Sequence, residues 1–154
     1  MKHISRNLEE TQKIAFDFVR SIKTNDKGAT VVGLYGDLGS GKTTFVQNIA
    51  KVFGIGDTVT SPTFVIMKIY ELKHIVASSK HLGEFKHLIH IDAYRLEKSE
   101  ELLHLGWNEL ISDKNNLILV EWPEKVENIM PEHIKISLKT PEDEQSRSID
   151  IIYN

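Results

Sequence analysis

The sequence predicts an α/β fold in which a mixed, mainly parallel β-sheet is flanked by helices. Three observations carry this expectation. Short β-branched runs, bounded by glycine, proline or charged residues, alternate with stretches at helical spacing. A glycine-rich turn joins one of these runs directly to a helix. The 154 residues, 40% of them hydrophobic, suffice for one self-supporting core, so residues 1–154 are expected to form a single domain. The absence of cysteine excludes disulfide scaffolds, iron–sulfur clusters, thiolate zinc sites and cysteine nucleophiles. With 19 basic against 22 acidic side chains, the net charge is −3, which provides no broad positive field for direct nucleic-acid binding. The longest apolar runs, Phe64–Met67 and Leu117–Val120, fall far short of the ~20 residues that span a bilayer. No signal-peptide core is visible at the N-terminus, so a cytoplasmic setting without a membrane anchor is expected.

The elements follow in order. Leu8, Ala15, Phe18, Val19 and Ile22 lie near helical spacing, and Asn7 with Glu10 resembles a capping box, predicting a helix over Leu8–Lys23. Ala29–Tyr35 is too short for a helix and reads as a buried strand that feeds Gly36. A second helix is predicted over Lys42–Phe53, with Gly54 at its C-terminus. Further strands are expected at Thr63–Tyr70, His87–Ile91, Leu117–Glu121, Ile134–Leu138 and Ser148–Tyr153, which makes six. Glu97–Asp113 reads as one or two short helices broken at Gly106, and Lys73–Lys86 as a polar, His-rich surface excursion.

Gly36 to Thr43 (GDLGSGKT) matches G-x-x-x-x-G-K-[ST] between a predicted strand and a predicted helix, the setting in which this pattern has meaning. Glycines without Cβ atoms let main-chain N–H groups converge on phosphate oxygens, and the helix that follows adds its N-terminal dipole. Lys42 is placed to neutralise the outer phosphates and the Thr43 hydroxyl to ligate Mg²⁺. The domain is therefore expected to be a P-loop NTPase.

Such a loop needs a carboxylate partner, and two strand ends offer one. Asp92 ends Leu88-Ile89-His90-Ile91-Asp92, and Glu121 ends Leu117-Ile118-Leu119-Val120-Glu121. Either acid could hold the metal or orient water, and the residues alone do not rank them. His90 shares a strand face with Asp92 two residues on, which makes a metal site conceivable, but it reads as an ordinary histidine, and no zinc site is expected. Thr60-Ser61-Pro62-Thr63-Phe64 is a hydroxyl-rich turn of the kind that can sense a γ-phosphate, although such turns are mostly structural. No guanine-reading N-K-x-D element occurs, which disfavours GTP. Only four arginines are present (Arg6, Arg20, Arg95, Arg147), which weakens the case for an arginine-rich kinase lid.

Taken together, GDLGSGKTT, TSPTF, HIDAYRL from His90, LGWNEL from Leu105 and EWPEK from Glu121, with Glu9-Glu10-Thr11 on the first helix, resemble the bacterial TsaE (YjeE) family over roughly Ser5–Tyr153. The resemblance implies an ATPase that uses ATP and Mg²⁺, is slow alone, and acts with a TsaB–TsaD heterodimer. That complex transfers threonylcarbamoyl to adenosine 37 of ANN-decoding tRNAs, so tRNA would be met only indirectly. It further implies that Thr11 lies near the adenine, that Gly39, Ser40, Gly41, Lys42, Thr43 and Thr44 cradle the phosphates, and that Thr43 and Glu121 coordinate Mg²⁺. Lys42, Asp92 and Glu121 would carry the catalysis. Thr60 and Ser61 would form a switch-like loop, Tyr94, Arg95 and Trp122 would lie near the nucleotide or the partner, and Arg147 would be an ATP-side cation. The one departure is the Tyr70–His90 connection, which is longer than the family's through Lys73–Phe85. Two other classes remain in play: a small-molecule kinase using the same loop, and a non-catalytic ATP-dependent binding module.

Overall fold

The computed structural model describes residues 1–56, 65–72, 85–140 and 146–154. The TSPTF stretch, the first two residues of the expected Thr63–Tyr70 strand and residues 73–84 of the surface excursion lie outside them.

The first helix, α1 (Leu8–Ser21), begins where Asn7 Oδ1 accepts the Glu10 N–H at 2.8 Å. Glu10 reaches back to the Arg6 N–H at 2.7 Å, one residue earlier than a capping box requires. Its end at Ser21 rather than Lys23 follows from Ile22, which turns extended. Ahead of it, the sequence reading missed a strand, β1 (Lys2–Ser5): four largely polar residues carry almost no periodic signal, and the segment is strand only because β7 pairs with it. Among the described residues the sheet therefore has seven strands rather than six. The others are β2 (Thr30–Tyr35), β3 (Met67–Glu71), β4 (His87–Asp92), β5 (Asn116–Glu121), β6 (Ile134–Lys139) and β7 (Arg147–Ile152).

Their order is β1-β7-β6-β2-β5-β4-β3, with four parallel strands (β6, β2, β5, β4) at the centre and antiparallel strands at both edges. Side chains alternate between two apolar layers. Val32, Leu34, Leu119 and Ile136 pack under α1 and α2 (Lys42–Val52), where the Phe18 and Phe45 rings stand 6.4 Å apart. Val31, Ile91, Ile118 and Val120 pack on the other face against Leu102, Trp107 and Val126. Leu102 belongs to α3 (Ser99–His104) and Trp107 to α4 (Trp107–Ser112), which part at Gly106 in a left-handed conformation (φ 86°), as the sequence suggested. Trp107 is fully buried and satisfies its indole N–H on the Ile129 carbonyl at 3.0 Å. Val126 lies in a 3-10 helical segment, Pro123–Ile129, that carried no sequence signal beyond its proline.

The register sets the site. Leu34 pairs with Glu121, and Glu121 with Asp92, so β2, β5 and β4 finish together at one edge of the sheet. Among the described residues no helix is long and apolar enough to cross a membrane.

Candidate functional site

At that edge β2 runs into the glycine-rich turn. Gly36 (φ 144°), Gly39 (φ 79°) and Gly41 (φ 99°) all adopt positive φ, which side-chain-bearing residues rarely take, and Gly41 is also the N-cap of α2. A turn curled in this way aims its N–H groups and the start of α2 at one volume, the arrangement that receives phosphate.

Lys42, the first residue of α2, is buried, and its Nζ donates to the carbonyls of Gly36 at 2.6 Å and Asp37 at 2.9 Å. The ammonium also sits over the Trp122 ring, 4.1 Å from its centroid. Burial lowers the Lys42 pKa below the ordinary lysine value, while Glu121, Glu124, Asp92 and Asp37 oppose that shift. A cation held among acceptors and an aromatic face, with its solvation stripped, is primed to gain from an incoming polyanion.

The next residue, Thr43, donates its hydroxyl to Glu121 Oε1 at 2.8 Å. Two ligands at adjacent corners of an octahedron with bonds of ~2.0–2.1 Å lie ~2.9 Å apart, so this pair fits a shared Mg²⁺. Phosphate oxygens and water would complete such a site, because among the described residues no group of three His, Asp or Glu is arranged around a metal position. Glu121 itself is 2% exposed. Asp92 lies on the neighbouring strand in register with it, with Oδ1 accepting the Tyr94 N–H at 3.0 Å. Together with Leu38, Tyr94 and Trp122 these residues line a cleft of about 310 Å³.

Trp122 directly follows Glu121 and is a left-handed residue other than glycine (φ 59°). The conformation costs roughly 1–2 kcal/mol. Its N–H bonds to the Leu34 carbonyl at 3.3 Å, and Pro123 fixes the backbone immediately after it. The sharp exit lays the indole against Tyr94, ring centroids 4.9 Å apart, and beneath Lys42.

A second cleft, about 290 Å³, opens on the other side of the turn. Gly39, Gly41 and Thr44 border both clefts, and the second is completed by Thr11, Arg147 and the main chain entering α1. Thr11 Oγ1 lies 2.6 Å from Ser5 Oγ, and Ser5 in turn donates to the Asn7 carbonyl at 2.9 Å. Ser40 is buried here, and its hydroxyl has no hydrogen-bond partner among the described residues. Arg147 opens β7 rather than preceding it, with its Nη1 on the Ser146 carbonyl at 3.0 Å. The two clefts thus flank the Gly39–Thr44 turn, the metal-side one bearing the Thr43–Glu121 pair and the other Thr11 and Arg147.

The structure brings Thr11, Gly39, Ser40, Gly41, Lys42, Thr43, Thr44, Asp92, Glu121 and Arg147 to these two adjoining clefts. Thr60 and Ser61 lie outside the described residues. Tyr94 and Trp122 line the metal-side cleft; Arg95 does not. Two contributors escaped the sequence reading. Ser5 belongs to the unforeseen β1, and His90, read as an ordinary histidine, lies with Nε2 2.6 Å from Glu121 Oε2. The sequence carried a partial signal, since a histidine between two isoleucines of a buried strand needs a polar partner, but it did not say which. A larger cleft, about 800 Å³, lies around Asn25–Val31 and Glu132–Ile134, at the opposite end of β2, and has neither the glycine turn nor paired carboxylates.

Residues 5–149 match the family described as "Threonylcarbamoyl adenosine biosynthesis protein TsaE". The chain is 37% identical over 153 residues to the tRNA threonylcarbamoyladenosine biosynthesis protein TsaE of Rickettsia felis, covering 98% of this chain and 79% of the relative. It is 31% identical over 140 residues to the protein of the same name from Treponema pallidum, covering 90% and 91% respectively. A crystal structure of YdiB from Bacillus subtilus superposes with a TM-score of 0.70 at 31% identity, covering 97% of this chain and 82% of that one.

Proposed function

Because the chain belongs to the TsaE family, we propose that it serves tRNA threonylcarbamoyladenosine biosynthesis as a Mg²⁺-dependent ATP hydrolase, slow alone and stimulated by TsaB and TsaD. Residues 1–154 would act as one ATPase domain, in the cytoplasm, meeting tRNA only through that complex. The single observation that carries the hydrolase reading is the convergence of Lys42 and the Thr43–Glu121 pair, 2.8 Å apart, at the glycine turn.

In this reading the N–H groups of Gly39–Thr44 and the Lys42 ammonium hold the triphosphate, exchanging the carbonyls of Gly36 and Asp37 for phosphate oxygens. Thr43 and Glu121 would hold Mg²⁺, which offsets negative charge on the outer phosphates when bound. Asp92, beside Glu121, orients water, while Thr11 and Arg147 face the nucleoside side. No arginine reaches the metal-side cleft from the described residues. Without such a cation P-loop hydrolases run roughly 10³ to 10⁵ times more slowly, so low intrinsic turnover is expected and the partners are assigned the stimulation.

The test measures phosphate release by the purified protein with ATP and Mg²⁺, alone and with TsaB and TsaD. Lys42→Ala should weaken triphosphate binding ~10- to 150-fold, the worth of one charged hydrogen bond at ~1.5–3 kcal/mol. Glu121→Ala should keep much of the binding and lose Mg²⁺-dependent turnover. Equal turnover in Glu121→Ala and wild type would refute the assignment. A phosphorylated small molecule accumulating in place of free phosphate would point to a kinase instead.

A further inference from the structure

His90 sits in the middle of β4, between the aliphatic side chains of Ile89 and Ile91, and it is wholly buried. Burying an imidazole among hydrocarbon is unfavourable unless its polar atoms are matched. One of them is. In register, His90 stands opposite Leu119, so Glu121 is its diagonal neighbour on the same sheet face, and Nε2 lies 2.6 Å from Glu121 Oε2. The carboxylate only accepts, so the shared hydrogen belongs to Nε2. Nδ1 has no hydrogen-bond partner among the described residues, which leaves this contact as the ring's one polar anchor there.

The two oxygens of Glu121 are therefore held by different groups. Oε1 takes the Thr43 hydroxyl and Oε2 the His90 ring. With one donor the carboxylate could still rotate about its terminal torsion, which is broad for this residue type. Two donors from separate elements, α2 and β4, fix its plane and direct Oε1 toward the Thr43 hydroxyl.

We propose that His90 is a positioning residue: it holds Oε2 from behind so that Oε1 faces the metal position shared with Thr43. The proposal rests on the metal role assigned above to Thr43 and Glu121. Hydrogen-bond partners behind a metal ligand are commonly worth ~10- to 100-fold in metal affinity, and His90 is assigned that range.

The test uses the full chain, with Mn²⁺ as a paramagnetic probe and ATP. Mn²⁺ affinity is read by electron paramagnetic resonance in the presence of ATP, ATP affinity is read separately in EDTA, and folding is followed by thermal melting. His90→Asn and His90→Gln are the informative pair. Both are polar and smaller than histidine, but only the glutamine amide reaches the position of Nε2. His90→Asn should weaken Mn²⁺ binding ~10- to 100-fold while ATP affinity in EDTA stays within about twofold, and His90→Gln should recover most of the loss. His90→Phe, if it folds, should behave as the asparagine does. Unchanged Mn²⁺ affinity in His90→Asn would overturn the proposal. So would an equal fall in EDTA, or a glutamine variant no better than the asparagine. Thr43→Ala is the reference: if it leaves Mn²⁺ affinity untouched, the metal site itself is misassigned, and the fault lies with that reading rather than with His90.

Discussion

Replacing Gly36 with alanine tests whether the glycine turn is held in place by the sheet beside it. A Cβ at this position would run into the Leu138 carbonyl oxygen of β6 and approach Ser40 Oγ to 2.6 Å, both well inside ordinary contact. The first obstacle is main chain in a paired strand and cannot swing aside. The backbone there also holds φ 144°, a region costing a side-chain-bearing residue roughly 1–3 kcal/mol. Relieving the overlap by shifting backbone costs a further ~1–3 kcal/mol. The sum, about 2–6 kcal/mol, is a large share of the ~5–15 kcal/mol that stabilises a domain, and at ~2–4 °C per kcal/mol it lowers the melting temperature by roughly 4–24 °C. Gly39→Ala is the matched control, because its φ of 79° is also left-handed but, apart from its chain neighbours, no atom of the described residues lies within 4 Å of the added Cβ. It should lose only the ~1–2 kcal/mol of backbone strain. The assay is urea unfolding of both variants beside wild type. If Gly36→Ala unfolds within about 0.5 kcal/mol of wild type, or if Gly39→Ala is the less stable of the two, the loop is not braced by β6 as described.

Two further outcomes follow from the rest of the chain. Glu101 accepts the backbone N–H groups of Lys98 at 3.0 Å and Glu97 at 2.9 Å, and these bonds hold its carboxyl below the ordinary value of 4.5. A carboxyl depressed on folding contributes stability that is present above its unfolded value and is lost as pH falls through the lower folded one. The gap in urea midpoint between wild type and Glu101→Ala should therefore be constant near neutrality and close on acidification below about pH 4.5; a gap that widens in acid would contradict the assignment. Trp107→Ala empties the largest fully buried side chain and orphans the Ile129 carbonyl, so it should cost ~3–5 kcal/mol in chemical denaturation, while Trp107→Phe, which loses chiefly the hydrogen bond, should cost markedly less.

What the sequence disclosed follows the strength of its local signals. The glycine turn, Lys42 and Thr43 were legible because three positive-φ positions before a helix demand a narrow choice of residues. Asp92 and Glu121 were legible because each acid ends an aliphatic strand, but only register shows that they stand side by side and that Thr43 reaches Glu121. β1 was illegible because its strand state comes from pairing with β7, about 145 positions away, as the register Lys2 with Asp150 and Ser5 with Arg147 shows. The contact of His90 with Glu121 was illegible for a related reason. Whether a buried histidine is idle or anchored depends on a neighbour from another strand, which spacing along one chain does not reveal.

The chamber beside the phosphate turn joins Ser5 and Thr11 to Arg147 and Ile149, and this has a consequence for the order of assembly. A nascent polypeptide that has emerged only through β6 already contains the glycine turn, its helix and both acids, yet one wall of that chamber is still unsynthesised. Closure waits for β7 to slot between β6 and β1, the most sequence-distant pairing in the sheet and so the entropically slowest to find. If that chamber receives the nucleoside as proposed, ligand capture marks the completion of folding, and a shortened product lacking β7 would retain the signature motif without the chamber.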